Sequence, residues 1–208
     1  NHLLHRQNRR RVEAEIIRDL HLSVAGLLAH RIGGPSVFPA IPPDVASQSF
    51  ANNFQWKASK GPDRYRRGMY TFFKRTAPAP NLLTFDCPDS NTSITRRNIS
   101  NTPLMALATL QNVVFHEAAR ALARRIQTDN TLQNDMERVD QLYRLTLARR
   151  PSAAERAIVI KLLADNRVHY RAHPAAAREL CKEENAELAA WTATVRIVTN
   201  LDEFIICS

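Results

Sequence analysis

The sequence predicts a mainly α protein: an N-terminal helix, a loop-rich middle with a small β element, and a C-terminal antiparallel helical bundle. Three observations carry that expectation. Apolar residues recur at spacings of three and four at the start of the chain and again beyond residue 102. Between them, GGPSVFPAIPPDV packs two glycines and four prolines into a span that neither helix nor interior strand accommodates. A hydrophobic content of 44% over 208 residues is enough to bury a core. The whole of 1–208 is expected to be a single domain, with sub-regions 1–31, 32–101 and 102–208. Because the first residue is Asn rather than Met, the chain is expected to be a fragment of a longer one.

In the first sub-region, Val12, Ile16, Leu20, Val24 and Leu27 form one apolar stripe, so a helix is expected from Leu3 to about Leu28. Arg11, Glu15 and Arg18 stand at ion-pair spacing along it. Two readings compete for this charged face. It is a solvated, salt-bridged surface, or Arg9, Arg10, Arg11, Glu15 and Asp19 dock onto the irregular region and organise it. Burial of Glu15 and Arg18 separates them.

The Gly/Pro-rich span carries Phe38, Ile41, Val45, Phe50, Phe54 and Trp56, too many large apolar groups for a free linker, and is expected to wrap onto the core. Met69–Phe73 and Leu82–Phe85 each read as a short strand, separated by TAPAP. Thr102 offers an N-cap and Pro103 an N1 residue for a helix to about Ile126, burying Leu104, Leu107, Leu110, Val114, Ala118, Ala121 and Leu122. A second helix is expected over about Leu132–Ala148, with Met136 among its apolar residues. A third, Ala153 to about Tyr170, starts on a capping box of Ser152 and Glu155. A last one runs from about Ala175 to Asn200. Short connections imply antiparallel packing.

The formal charge of +9 is concentrated in the first 112 residues, and 24 of the 29 basic residues are arginine. Arginine forks suit carboxylate, sulfate or phosphate groups, so an anionic partner is indicated. Nucleic acid is disfavoured by the scarcity of aromatic residues and the absence of a recognisable motif. No apolar run is long enough to cross a bilayer. Cys87, Cys181 and Cys207 form no C-x-x-C-H site, so no haem attachment, and no other cofactor, is expected in this chain.

The stretch from Tyr70 to Arg120 is where polar groups are expected to converge. Arg96 and Arg97 precede a helix N-terminus, and Lys74 and Arg75 would join them if the two short strands fold over, making a candidate anion or partner site. Against this stands internal pairing of the same arginines with Asp86, Asp89 and loop carbonyls. Asp86 and Asp89, flanking a Cys-Pro turn, are also the candidate carboxylate pair for acid/base chemistry. His116-Glu117-Ala118-Ala119-Arg120 opens like H-E-x-x-H but ends in arginine, which does not ligate zinc, so no metal site is assigned there. His169 and His173 stand one helical turn apart. Glu203 is expected to pair with an arginine of the first helix. The structural ion network thus comprises Arg9, Arg11, Glu15, Arg18, Asp86, Asp89 and Glu203.

In order along the chain, RRRVEAEIIRD, GGPSV, YTFFKR, FDCPD, RRNISNTPLMAL, FHEAARALA, LYRLTLARRPSAAE and NLDEF resemble the planctomycete-type secreted family of unknown function 1553. The resemblance implies an exported or envelope-associated multidomain protein, accompanied by a cytochrome-c-like domain, with a suspected link to polysaccharide breakdown. Where members commonly carry Cys, Gln and an Asn-Asp pair, this chain has Ser93, Met105, Gln111 and Asn112. A site needing that thiolate or carboxylate would be impaired here. The leading expectation is therefore a non-catalytic binding or scaffolding module engaging an anionic glycan or an acidic or cytochrome partner domain. The alternative is a polysaccharide hydrolase or lyase using paired carboxylates.

Overall fold

The computed structural model describes Leu3 and residues 9–41, 56–75 and 78–207. Among them are eight α-helices and one two-stranded antiparallel sheet. The chain divides into two compact units, one of Asn1–Ser23, Leu27–Phe115 and Ile205–Ser208, the other of Val24–Gly26 and His116–Phe204.

In the first unit β1 (Arg10–Arg11) pairs with β2 (Ile206–Cys207), Arg10 opposite Cys207 and Arg11 opposite Ile206. The first helix, α1 (Ala14–Val24), therefore starts later than expected, because residues 10 and 11 are extended in the sheet. Residues 4–8 of the expected helix lie outside the described residues. The stripe also differs. Ala14, Ile17, His21, Leu22 and Ala25 are buried, whereas Ile16 is 36% exposed. The inward face includes Arg18, Asp19 and His21, which hydropathy assigns to the outside. Leu27 N–H closes the helix on Leu22 O, the wrap that Gly26 permits with its φ of 72°. Leu22 packs with Ala40 and Val114, and Leu27, Leu28 and Tyr65 cover them.

The Gly/Pro-rich span does lie on this core where it is described. Val37 is 3% exposed and bridges Thr71, exchanging hydrogen bonds with Tyr70 O and Phe72 N–H. Phe38 packs edge-on to Trp56 and against Phe72. Val45, Phe50 and Phe54 lie outside the described residues.

Neither expected strand forms. Residues 68–70 make a 3₁₀ turn, and Thr71 contributes only an isolated bridge. Leu82 falls within α2 (Pro80–Thr84), which Pro80 opens at its first turn and which ends at Phe85. The small β element belongs instead to the two ends of the chain. The helix expected from Pro103 to Ile126 is two, α3 (Pro103–Gln111) and α4 (Val113–Gln127), divided by Asn112. Asn112 has extended backbone, and its Oδ1 accepts from the N–H groups of Val114 and Phe115, capping α4. Thr102 occupies the N-cap position of α3 without a side-chain cap bond. Since α3 is short and separate, Leu104 and Leu107 are exposed and only Met105 on it is buried.

In the second unit, Ala118, Ala119, Leu122, Ala123 and Ile126 of α4 are buried. Asn134 caps α5 (Asp135–Leu147), whose inward face is Val139, Leu142, Tyr143 and Leu147, while Met136 is 58% exposed. The Ser152–Glu155 capping box starts α6 (Ala153–Ala172) as expected. The expected last helix is split into α7 (Pro174–Cys181) and α8 (Ala186–Thr199), because Lys182 takes a left-handed conformation and Asn185 caps a new helix. The central helix is α8, packed by α6, α7 and α5. Leu188, Ala189, Ala190, Trp191, Val195 and Val198 on it are all buried. Burial on every side of a helix removes the amphipathic signal that would mark its ends.

His21 stacks flat on Phe115, ring centroids 4.1 Å apart, and burial pushes its imidazole down to about 3. The folded ring is thus neutral, while in the unfolded chain it protonates near 6.5. Between those values the unfolded state binds the extra proton, so this contribution to stability is complete above about 6.5 and is lost as the pH falls. The slope is at most about 1.4 kcal/mol per pH unit. We predict that urea midpoints decline between pH 7 and pH 5, above the range where the carboxylates titrate, and that His21→Phe flattens this limb. An unchanged slope in the variant would assign the proton to another group.

Candidate anion-binding cleft

Four charged residues of the N-terminal segment hold the loop-rich region, each by a different chemistry. Arg11, 6% exposed, donates to Phe85 O and to Asp86. Asp86 has a positive φ of 61°, a conformation aspartate tolerates better than most residues. Its carboxylate also accepts from Ser100, through N–H at 2.8 Å and Oγ at 2.9 Å. Glu15 receives both arms of Arg97, at 2.8 and 3.2 Å, and the Cys87 thiol at 3.7 Å. Burial alone would raise the Glu15 carboxyl, but hydrogen bonds and charge from Arg97 outweigh it and the net shift is downward. Burial, then the Glu15 charge, pushes the Cys87 thiol up to about 11, so it stays protonated at neutral pH.

Arg18, 7% exposed, donates to the carbonyls of Arg66 and Arg64 rather than to Glu15. Asp19 accepts from Gly68 N–H at 2.6 Å and from Arg67 Nε at 3.0 Å. At Gly68 the two backbones meet, and a Cβ there would lie 2.3 Å from Glu15 O. Arg66, 1% exposed, donates to the carbonyls of Pro35, Arg31 and Gly33 and lies 3.8 Å over the Tyr70 ring. The docking reading holds for Arg11, Glu15 and Asp19, joined by Arg18, whereas exposed Arg9 and Arg10 take no part in it, and the helical ion pairs expected among Arg11, Glu15 and Arg18 give way to it. Arg66, Arg67 and Gly68 were not among the sequence candidates. Their only sequence signal is a glycine directly after paired arginines.

Residues 9–14, Phe85, Asp86 and residues 95–99 enclose a cleft of about 740 Å³. Its lining holds five arginines, Arg9, Arg10, Arg11, Arg96 and Arg97, against two carboxylates, Glu13 and Asp86. Arg11 and Arg97 are engaged as described, Arg97 also meeting Glu13 at 3.4 Å, and Arg10 reaches Glu13 at 3.5 Å. Arg9 and Arg96 are exposed and carry no ion pair among the described residues. Of the four expected anion-site cations, Arg96 and Arg97 line the cleft. Half-buried Lys74 and exposed Arg75 are not part of its lining. Exposed Asp89 closes a turn by accepting from both nitrogens of Asn91, which hold its carboxyl below the usual range.

Elsewhere the candidates serve the second unit. Glu203 is held by Arg149, through Nε at 2.6 Å and NH2 at 2.7 Å; the expected pairing is with an arginine of the first helix, and Arg6 of that expected helix lies outside the described residues. Arg149 also grips Glu155, whose carboxyl is pushed down to about 2 by Arg149 and then Ser152. Arg120, the last residue of the zinc-like pentapeptide, donates to Cys181 O. His169 and His173 stack 4.5 Å apart at the end of α6. Among the described residues no group of three or more His, Cys, Asp and Glu is placed to hold a metal, and no helix is long and apolar enough to cross a membrane.

A mainly helical chain whose charged N-terminal segment clasps an arginine-lined cleft defines the class. The PSD1 family model, a protein of unknown function (DUF1553), matches residues 1–163, and the chain belongs to that family. The matched span includes every residue of the cleft, whereas NLDEF lies beyond it. No curated protein and no solved structure matches the chain.

Two substitutions test the docking. Gly68→Ala drives a methyl into the α1 backbone and is expected to cost at least about 2–3 kcal/mol. An effect under about 0.5 kcal/mol in urea denaturation would contradict the close approach. Asp86→Asn leaves the nearly buried Arg11 guanidinium without its counter-charge and is expected to cost about 3 kcal/mol. A neutral result would show that the carbonyl acceptors of Arg11, Phe85 O foremost, suffice.

Proposed function

We propose that the chain is a non-catalytic binding module whose cleft engages an anionic ligand, a glycan or an acidic partner domain such as the cytochrome-c-like one. The observation that carries this reading is the disposition of charge in the cleft. Its carboxylates already hold arginines, while Arg9 and Arg96 are exposed in the lining with no counter-charge among the described residues. Guanidinium groups in that state bind carboxylate or sulfate oxygens through paired hydrogen bonds. The volume lies within the range of ligand-binding clefts.

Paired-carboxylate hydrolysis draws no comparable support. An acid/base pair needs one carboxyl able to take and return a proton near neutral pH. Asp86 is tied by Arg11 and Ser100, Glu15 is held ionised by Arg97, and Asp89 is engaged in its turn. The exported, multidomain setting is proposed on the family resemblance.

Elution from a sulfated-polysaccharide matrix locates the site. The Arg9→Gln/Arg96→Gln double variant is expected to elute at markedly lower salt than the parent, its affinity weakened about tenfold. Lys74→Gln/Arg75→Gln, with the same loss of charge, is expected to shift little. If both variants shift equally, retention follows net charge and the cleft is not the site.

A further inference from the structure

We propose that Glu13 is a built-in competitor for the cleft: its carboxylate stands where a ligand's acid group would, and only a ligand carrying two or more acid groups displaces it. This inference rests on the anion-binding reading and adds to it which anions are admitted. Glu13 lines the cleft, and its two oxygens lie against two of the lining arginines, Oε1 3.5 Å from Arg10 and Oε2 3.4 Å from Arg97. A carboxylate bridging two guanidinium groups is the contact that an external carboxylate or sulfate would make.

Glu13 differs from the neighbouring carboxylates in how it is held. Asp86 accepts hydrogen bonds from Arg11 and Ser100, and Glu15 accepts two from Arg97, the closer at 2.8 Å; their side chains are 20% and 21% exposed. Those two belong to the docking of the loops. The Glu13 contacts are longer than the roughly 2.7–3.2 Å of an N–H···O hydrogen bond, and its side chain is 45% exposed. Charge alone holds it, in contact with water, and a competing anion opens an ion pair of that kind at little cost. Its backbone is fixed independently, because Glu13 O accepts from the N–H groups of Ile16 and Ile17 at the start of α1. The side chain can swing aside while the helix stays in place.

The class of ligand follows from the charges. A single external acid group that takes the place of Glu13 exchanges one carboxylate contact for another of the same kind, against a tethered rival whose effective concentration is on the order of millimolar. A second acid group on the same ligand has further partners, because Arg9 and Arg96 line the same cleft with no ion pair among the described residues. Release of Glu13 also frees Arg10, which is exposed and has its only ion pair among the described residues with Glu13. Closely spaced acid groups are thus favoured over isolated ones.

Calorimetric titration of the full chain and of its Glu13→Gln variant tests this with two probes, a glucose monosulfate and the fully sulfated heparin disaccharide. Asp63→Asn is the control, since it removes the same charge from an equally exposed carboxylate, also 3.5 Å from an arginine, outside the cleft lining. The parent is expected to bind the disaccharide, and to bind the monosulfate at least about tenfold more weakly. Glu13→Gln is expected to gain about tenfold for each probe, the equivalent of two exposed ion pairs, and Asp63→Asn less than about twofold. Thermal melts confirm that the variants fold. A Glu13→Gln variant that binds no more tightly than the parent, a gain of equal size in Asp63→Asn, or equal affinity of the parent for both probes would overturn the competitor while leaving the anion reading in place. Binding of neither probe by parent or Glu13→Gln would overturn both.

Discussion

The first unit depends on carboxylates and guanidinium groups that leave water only because each finds a partner across a long stretch of sequence. Asp19, Arg18, Glu15 and Arg11 reach respectively residues 67–68, 64 and 66, 97, and 85–86. The segments they hold contain few regular hydrogen bonds of their own. Their backbone carbonyls and amides are satisfied by side chains of the N-terminal segment, by Arg66 and by Asp86. Desolvating an unpaired guanidinium costs several kcal/mol, so an arginine as buried as Arg66 is stable only with its three carbonyl acceptors and the Tyr70 ring in place. The loops and the charged face thus specify each other.

The second unit is built on a different principle. There α8 is buried almost throughout, with Trp191 wholly enclosed and its indole N–H given to Glu187. Ion pairs lie around that apolar centre rather than within it. Arg167 ties Asp135 at the start of α5 to Glu187 at the start of α8, and Arg156 ties α6 to Asp140 of α5. Both carboxylates gripped by Arg167 occupy first turns of helices, where the dipole also favours negative charge. The excess of arginine that suggests a polyanion partner is therefore spent largely on structure, which makes the two exposed cleft arginines the more informative.

Class, family and the starts of several helices were legible in the sequence wherever the signal is local. Pro103 at a helix start and the Ser152–Glu155 capping box are complete within four residues, and both form. What was not legible is non-local or runs against hydropathy. A pair of two-residue strands joining residues 10–11 to 206–207 has no periodicity to detect. Asn112 divides a helix although both flanks are apolar, because one side chain caps two amides. Leu82–Phe85 reads as a strand by composition, yet Pro80 fixes a helical start before it. In the first unit, Arg11, Glu15, Arg18, Asp86, Arg96 and Arg97 were each recognisable as candidates, whereas the pairing of Arg18 with carbonyls and the approach at Gly68 depend on backbone that is distant in sequence.

Native-state hydrogen exchange of two amides tests this account most directly. Gly68 N–H is given to Asp19 and Ser100 N–H to Asp86, so each reports on one carboxylate that holds a loop. Both loops are short of regular structure, and nothing but this docking would slow their exchange. The account predicts that both amides are protected to nearly the extent of the α1 core amides, opening only with the unit as a whole. Exchange of either at the rate of an unstructured peptide, with α1 still protected, would contradict it.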